Sequence, residues 1–444
     1  MKRALILTIA LLFLFSLSGF AASVTLPSGI PAASAAKINW RQFQGQTVNV
    51  LFSNHPWQES VEPFIPEFEK LTGMKVRLVK LPEAEYLTKI PADFTAGTFA
   101  FDVFMSQYYD AAKYEKEKWT ADMGPLMKDP KLADAAWYDW NDYFPGGQDI
   151  ATIGGSYFDR IPIVAEAQLL MYRSDIYQEL GLKVPTTFDE LLANAKKIVQ
   201  KKPGVAGIIL RGGPGLWWPM YGVVRSYGGG YFDKDWNPII NSPKSKAGAA
   251  MYASLCQTGP KGLTSYDWDE INTAIFAGKA AMFMDSSGIY SRINDPKVST
   301  VVGKLKFAPF PTGPGGRIAH SHYWSISIAQ SSKAKPQAWM FIQWITSKEI
   351  MYRAGLAGTI PPRASTWNQT SFTKQFPEDF ASAYRDTMKT AVISPAFSRF
   401  LEAVDILRAE MQKVILKEED LNKALDYTQG QWVKMMADWK AAGR

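Results

Sequence analysis

The chain has a single cysteine, Cys256, among 444 residues, so no internal disulfide can form and packing alone must hold the fold. It has three histidines, His55, His320 and His322. No HExxH occurs and no cysteine accompanies them, which argues against a zinc site. No GxSxG elbow, no Walker motif and no GxGxxG following a strand is present. The glycine-rich turn 211 to 219, RGGPGLWWP, ends in Leu-Trp-Trp where a phosphate loop needs lysine and a hydroxyl. Internal repeats and low-complexity tracts are absent, and beyond the first residues no run is apolar enough to cross a membrane. The formal charge is +7, and Lys2 and Arg3 account for two of those charges. The remaining excess is spread among acidic residues, as in KYEKEK at 113 to 118, which reads as solvated helix faces and excludes a nucleic-acid footprint.

What is present begins with Lys2-Arg3, an apolar run from Ala4 to Phe20, and small residues at 21 to 23 and 33 to 36, the pattern of a cleaved secretory signal peptide. A retained membrane anchor is the alternative, although the run is short for a span. Cleavage falls near Ala21 or near Ala36, and the later site is preferred because ordered-looking sequence starts at Ile38. No cysteine lies near either site, so the protein is expected outside the cytoplasm without a lipid anchor. The remaining length suffices for two domains with full cores. Aromatics are abundant, with 15 Trp, 19 Tyr and 25 Phe, and some of them, such as Trp57, Trp217, Trp218 and Trp324, sit in or beside polar, turn-like sequence where a core does not explain them.

From residue 47 the pattern is α/β. Strands are expected at 47 to 52, 75 to 81, 101 to 105, 205 to 210, 280 to 284 and 324 to 328, with helices between them and a mainly helical chain from 334. Between 161 and 172 two short buried strands are expected, interrupted at Ala165-Glu166-Ala167-Gln168. A carboxylate stranded there needs a reason. Thr187 and Glu190 have the spacing of a capping box. In open α/β sheets ligands lie beyond the carboxyl ends of strands. That makes the loops holding Asn54, His55 and Trp57, and Gln107, Tyr108 and Tyr109, candidate walls. Paired carboxylates on separate loops would also serve a secreted glycoside-active enzyme, and that alternative stays open beside a non-catalytic scaffold or adhesin.

The segment Ile161-Pro162-Ile163-x-x-Glu166-Ala167-x-x-Leu170-x-Tyr172-x-x-Asp175, followed by Pro185-Thr186-Thr187-Phe188-Asp189-Glu190, resembles the core signature of extracellular sugar-binding proteins of ABC importers, the maltose-binding-protein-like family 1. Trp218-Pro219, Phe276-x-x-Gly278-Lys279-Ala280-Ala281-Met282 and Pro361-Pro362-Arg363 fall in the family's order. The resemblance implies a type II periplasmic-binding-protein fold, a Venus flytrap of two α/β lobes joined by hinge strands. Residues 1–36 would be the leader, 37–161 with 319–360 the first lobe, and 162–318 with 361–444 the second. It further implies a monomer without cofactor or metal, binding a sugar or polyol in the cleft and delivering it to permease subunits. Glu166 would accept from ligand hydroxyls, Trp217 or Trp218 would lie against a sugar face, and Asp285 and Arg363 match cleft-facing positions. Where the family commonly has a tryptophan after the position of Asp285, this chain has Gly288-Ile289-Tyr290. Where it is often glycine-rich before the last hinge strand, this chain has His320-Ser321-His322-Tyr323-Trp324, so Tyr290, His322 and Trp324 join the candidates.

Overall fold

The computed structural model describes residues 25–153, 155 and 157–442. The apolar run of the expected signal peptide lies outside them. Seven strands form one curled sheet: β1 (Thr47–Ser53), β2 (Lys75–Leu81), β3 (Val103–Gln107), β4 (Ile161–Arg173), β5 (Met282–Ser286), β6 (Leu305–Ala308) and β7 (Ser321–Ile328). Their order is β2-β1-β3-β7-β4-β5, with β6 also on β4. β1 runs parallel to β2 and β3, as the intervening helices require, whereas β7 returns antiparallel to both β3 and β4.

The buried side chains fall into two clusters, and β4 belongs to both. Ile161, Ile163 and Val164 pack in the cluster that holds β1 and β3; Ala165, Ala167 and Leu169 to Met171 pack in the other. β7 divides likewise, with Tyr323 in one cluster and Trp324 in the other. Because Val164 pairs with Trp324 and Ala165 with Tyr323, the two strands pass from one core to the other side by side. A third segment joins them, the Ala165 amide donating to the Ile360 carbonyl at 3.1 Å. A few backbone residues on adjacent strands therefore connect two separately packed halves, the geometry of a hinge.

The sequence reading expects an interruption at 165 to 168, but β4 is one continuous strand of 13 residues. What changes there is its partner. Up to Ala167 it pairs with β7, and from Gln168 onward with β5 and β6. The segment 205 to 210 also departs from expectation. It runs beside β5 and forms isolated bridges rather than a strand, at Ala206 with Ala280 just before β5 and at Ile209 with Phe283 within it. The capping box at Thr187 and Glu190 forms, and the helix Phe188–Lys201 buries Phe188, Leu191, Ala195 and Ile198. The final helix, Leu421–Ala441, docks its stripe of Leu425, Trp432, Met435 and Trp439 on the second core.

Packed chain begins well before Ile38. Ile30 is buried in one cluster, and Ala33 and Ala36 in the other. The Ala33 amide donates to Glu349 Oε2 at 2.7 Å, and the indoles of Trp40 and Trp137 donate to the carbonyls of Ala33 and Ala32 at 3.1 and 2.9 Å. Small apolar residues that resemble a cleavage site are used here as close-packing surface. Deleting residues 25–36 strips four hydrogen bonds, the fourth from Gln369 Nε2 to the Ser28 carbonyl, and a buried isoleucine, and is expected to reduce unfolding free energy by about 3 kcal/mol in urea titrations. A change below about 0.5 kcal/mol would show that the segment packs without stabilising.

Candidate functional site

A cavity of about 420 Å³ opens where the two halves meet. Its floor is laid by the crossing strands. Glu166 on β4 pairs in register with His322 on β7, and both side chains line the cavity. His55 reaches Glu166 from the end of β1. Its Nδ1 accepts from the Trp57 amide, capping the helix Pro56–Val61, so the proton it presents to Glu166 Oε1 at 3.0 Å sits on Nε2. The Ser286 hydroxyl donates to the other oxygen. Burial pushes the Glu166 carboxyl up, but the hydrogen bonds from His55 and Ser286 bring it below its usual value. An ionised carboxylate has about four acceptor sites. With two of them met by His55 and Ser286, Glu166 retains acceptor capacity toward the cavity. Gly288 belongs to the same arrangement, since a Cβ there would collide with the Glu166 carboxylate. A tryptophan at 288 itself would therefore require Glu166 to move.

The second charged centre is Arg211. Because Ile209 lies beside Phe283, the chain two residues on brings Arg211 to Asp285 at the end of β5. Its Nε and Nη2 donate to the two Asp285 oxygens at 3.0 and 2.8 Å, the fork geometry that suits arginine. Nη1 reaches Asp267 at 3.3 Å and, from the other half, Glu83 at 3.8 Å. The guanidinium carbon lies 5.3 Å from the ring of Trp218 and 5.2 Å from that of Trp268, a stacked position that restricts its swing. Around these charges stand aromatic walls. Tyr109 meets Trp217 edge to face at 5.1 Å, and Trp324 packs near His55 and His322.

Of the sequence candidates, His55, Gln107, Tyr109, Glu166, Trp217, Trp218, His322 and Trp324 line the cavity. Both adjacent indoles face it. The other six lie elsewhere. Asn54 is exposed, and Trp57 is buried against Phe52 beneath its helix. Tyr108 is turned into the core, its hydroxyl 2.9 Å from His320 Nε2 and 2.6 Å from the Ser394 hydroxyl. Asp285 is fully buried behind Arg211 and acts through it. Tyr290 packs on Phe376 and Phe380. Arg363 is wholly buried, donating to the carbonyls of Thr346 and Asp139 and lying 4.1 Å from the Tyr143 ring. His320 is structural too. Its Nδ1 donates to the Trp218 carbonyl at 2.9 Å and so props the indole from behind.

Sequence reasoning missed Glu83, Asp110, Lys113, Arg211, Asp267 and Trp268, all in the wall. Asp267 caps the helix Trp268–Phe276, and the same carboxylate also faces Arg211. Glu83 begins the helix Glu83–Ala96, directly after β2. A strand-end arginine in a glycine-rich turn was the available signal. Among the described residues no group of three or more His, Cys, Asp or Glu could hold a metal ion.

Burial raises the Glu83 carboxyl from 4.5 to about 8, with Arg211 opposing. Between those values the unfolded chain has lost the proton that the folded chain keeps, so this contribution to stability falls as pH rises toward about 8. Glu83→Gln removes the dependence. The melting temperature of the variant minus that of the native protein is expected to be larger at about pH 8.5 than at about pH 5, and equal differences would contradict the assignment.

Two halves on a strand hinge, with an acceptor-rich, indole-walled cavity between them and no helix among the described residues long and apolar enough to cross a membrane, define a two-lobed α/β binding protein. The family described as bacterial extracellular solute-binding protein matches residues 54–352, and the chain belongs to it. It is 29% identical over 402 residues to an erythritol/L-threitol-binding protein of Mycolicibacterium smegmatis, covering 85% of this chain and 82% of the relative. It is 30% identical to a mannitol-binding protein of Pseudomonas aeruginosa over 318 residues, covering 68% of this chain and 70% of the relative. The solved solute-binding protein of an ABC transporter from Agrobacterium radiobacter, in complex with ribitol, superposes with a TM-score of 0.79 at 27% identity, covering 88% of this chain and 99% of that one. The family and these relatives are binding proteins.

Proposed function

We propose that the protein captures a sugar or polyol in the cavity between its halves and hands it, chemically unchanged, to the permease of an ABC importer. The observation that carries this reading is the pairing, in one cavity, of stacking indoles with hydrogen-bonding groups already aimed inward. Trp217, Trp218 and Trp324 offer apolar faces for C–H surfaces, and Glu166, Arg211, Gln107 and His322 offer direction. In this reading Asp285, Tyr108 and His320 support the contacting residues, and the ligand favours closure because it touches both halves at once.

Export outside the cytoplasm fits the family. Cleavage within 21 to 24 is favoured over the site near Ala36, because Ile30, Ala33 and Ala36 are packed residues. The mature protein then works as a monomer with no lipid anchor, cofactor or metal.

A thermal-shift panel of erythritol, ribitol, mannitol, glucose and maltose tests the reading. A ligand at a hundred times its Kd stabilises by about 2.7 kcal/mol, so at least one clear shift is expected, with the ligand recovered intact. No shift from any of them, or conversion of the ligand to product, would sink the proposal.

A further inference from the structure

Resting on that reading, we infer that the cavity accepts polyhydroxyl ligands only when they carry no acidic group, and that Glu83 and Asp267 are the residues that impose this choice. The wall holds two permanently cationic side chains, Arg211 and Lys113, and six acidic ones: Glu83, Asp110, Glu166, Asp267, and Glu402 and Asp405, which are paired with Arg399 and Arg408 behind the wall. Both cations already have partners. Lys113 lies over the Trp119 ring at 5.2 Å. Arg211 is committed to Asp285 through two hydrogen bonds, and its remaining edge is bracketed by Asp267 at 3.3 Å and Glu83 at 3.8 Å.

The histidines do not make up the deficit. Burial, which Glu166 opposes, holds the His322 ring down at about 3, and His55 presents its Nε2 proton to Glu166. Nor does Arg160 help. It is fully buried and bonded to Asp159 and the Gln107 carbonyl.

A carboxylate or phosphate entering this space must displace Asp267 or Glu83 from Arg211; the displaced Asp267 is left as a like charge a few ångströms away, and Glu83, which keeps its proton up to about pH 8, adds a second like charge above it. A hydroxyl meets the opposite situation, because the carboxylates still have lone pairs and the hydroxyl brings a proton. Rejection thus comes from unpaired like charges rather than from a poorer fit. The two residues arrive from different elements, Glu83 from the first helical turn after β2 and Asp267 from the cap of the helix Trp268–Phe276. Arg211 therefore becomes fully bracketed only where both halves meet.

Matched pairs test this, since each differs only by a terminal CH₂OH replaced by a carboxylate: ribitol against ribonate, mannitol against mannonate, glucose against glucuronate. Calorimetric titration of the native protein at about pH 9, where Glu83 as well as Asp267 is ionised, is expected to find the acid of whichever pair binds weaker by about 30-fold or more, the scale set by like-charge contacts. In Glu83→Gln with Asp267→Asn, which keeps a capping residue at 267, the ratio is expected to fall about tenfold or more. An acid-to-alcohol ratio below about 30-fold in the native protein would overturn the inference even if the double variant cannot be made, as would an unchanged ratio in that variant. Absence of binding by every neutral member would instead overturn the underlying reading, so the two failures are distinguishable.

Discussion

Arg211→Met is expected to lower the free energy of unfolding by about 3–5 kcal/mol and to abolish ligand binding. Asp285 is fully buried, and Arg211 supplies both hydrogen bonds that meet its carboxylate from another segment. Without the guanidinium, a desolvated charge is left with the Ser286 amide as its hydrogen-bond donor. Removing one partner of a buried pair is costly for that reason, whereas removing both charges often is not. Adding Asp285→Asn to Arg211→Met is therefore expected to restore most of the lost stability while leaving binding absent. Urea unfolding and titration calorimetry separate the two effects. Equal stability of the single and double variants would show that Asp285 does not depend on Arg211.

Trp218→Ala is expected to weaken binding by about 2–4 kcal/mol, or roughly 30- to 1,000-fold, the size of effect that a buried aromatic anchor produces. The indole is 4% exposed and is held on two sides, by His320 at 4.9 Å between ring centroids and by the Arg211 guanidinium at 5.3 Å. Its orientation is thus set before any ligand arrives, and little ordering remains to offset the contact. Trp218→Phe keeps a flat apolar face and is expected to retain binding within about tenfold. If alanine and phenylalanine bind equally well, Trp218 is a packing residue rather than a platform.

Much of this arrangement is legible in the chain, and the rest is hidden for identifiable reasons. Hydrophobic periodicity and the punctuating glycines place β1, β2 and the helices near them, because those elements are organised by their own residues. The carboxylate in the middle of β4 marks itself, since a polar side chain in a buried run requires partners, and its partners are His55 and Ser286. What periodicity misreads as a break in the strand is a change of neighbour, from β7 to β5 and β6, which no local pattern encodes.

Arg363 shows the opposite error. A position matched by motif order is filled here by an arginine that ties Thr346, Asp139 and Asp142 together inside one half. Asp267 escaped sequence reasoning because one carboxylate both caps a helix and faces Arg211, and only the fold brings Arg211 to it. Ala33 and Ala36 show that small residues near an export signal can equally be packing surface.

The account rests on a polyhydroxyl ligand held between the two halves, and a crystal structure of the protein with whichever panel member stabilises it tests that most directly. The account predicts the ligand between the indoles of Trp218 and Trp324, with hydroxyls within hydrogen-bond distance of Glu166 and Arg211 and its covalent structure intact. A ligand bound on the outer surface of either half, with the cavity at β4 and β7 left to solvent, would contradict it.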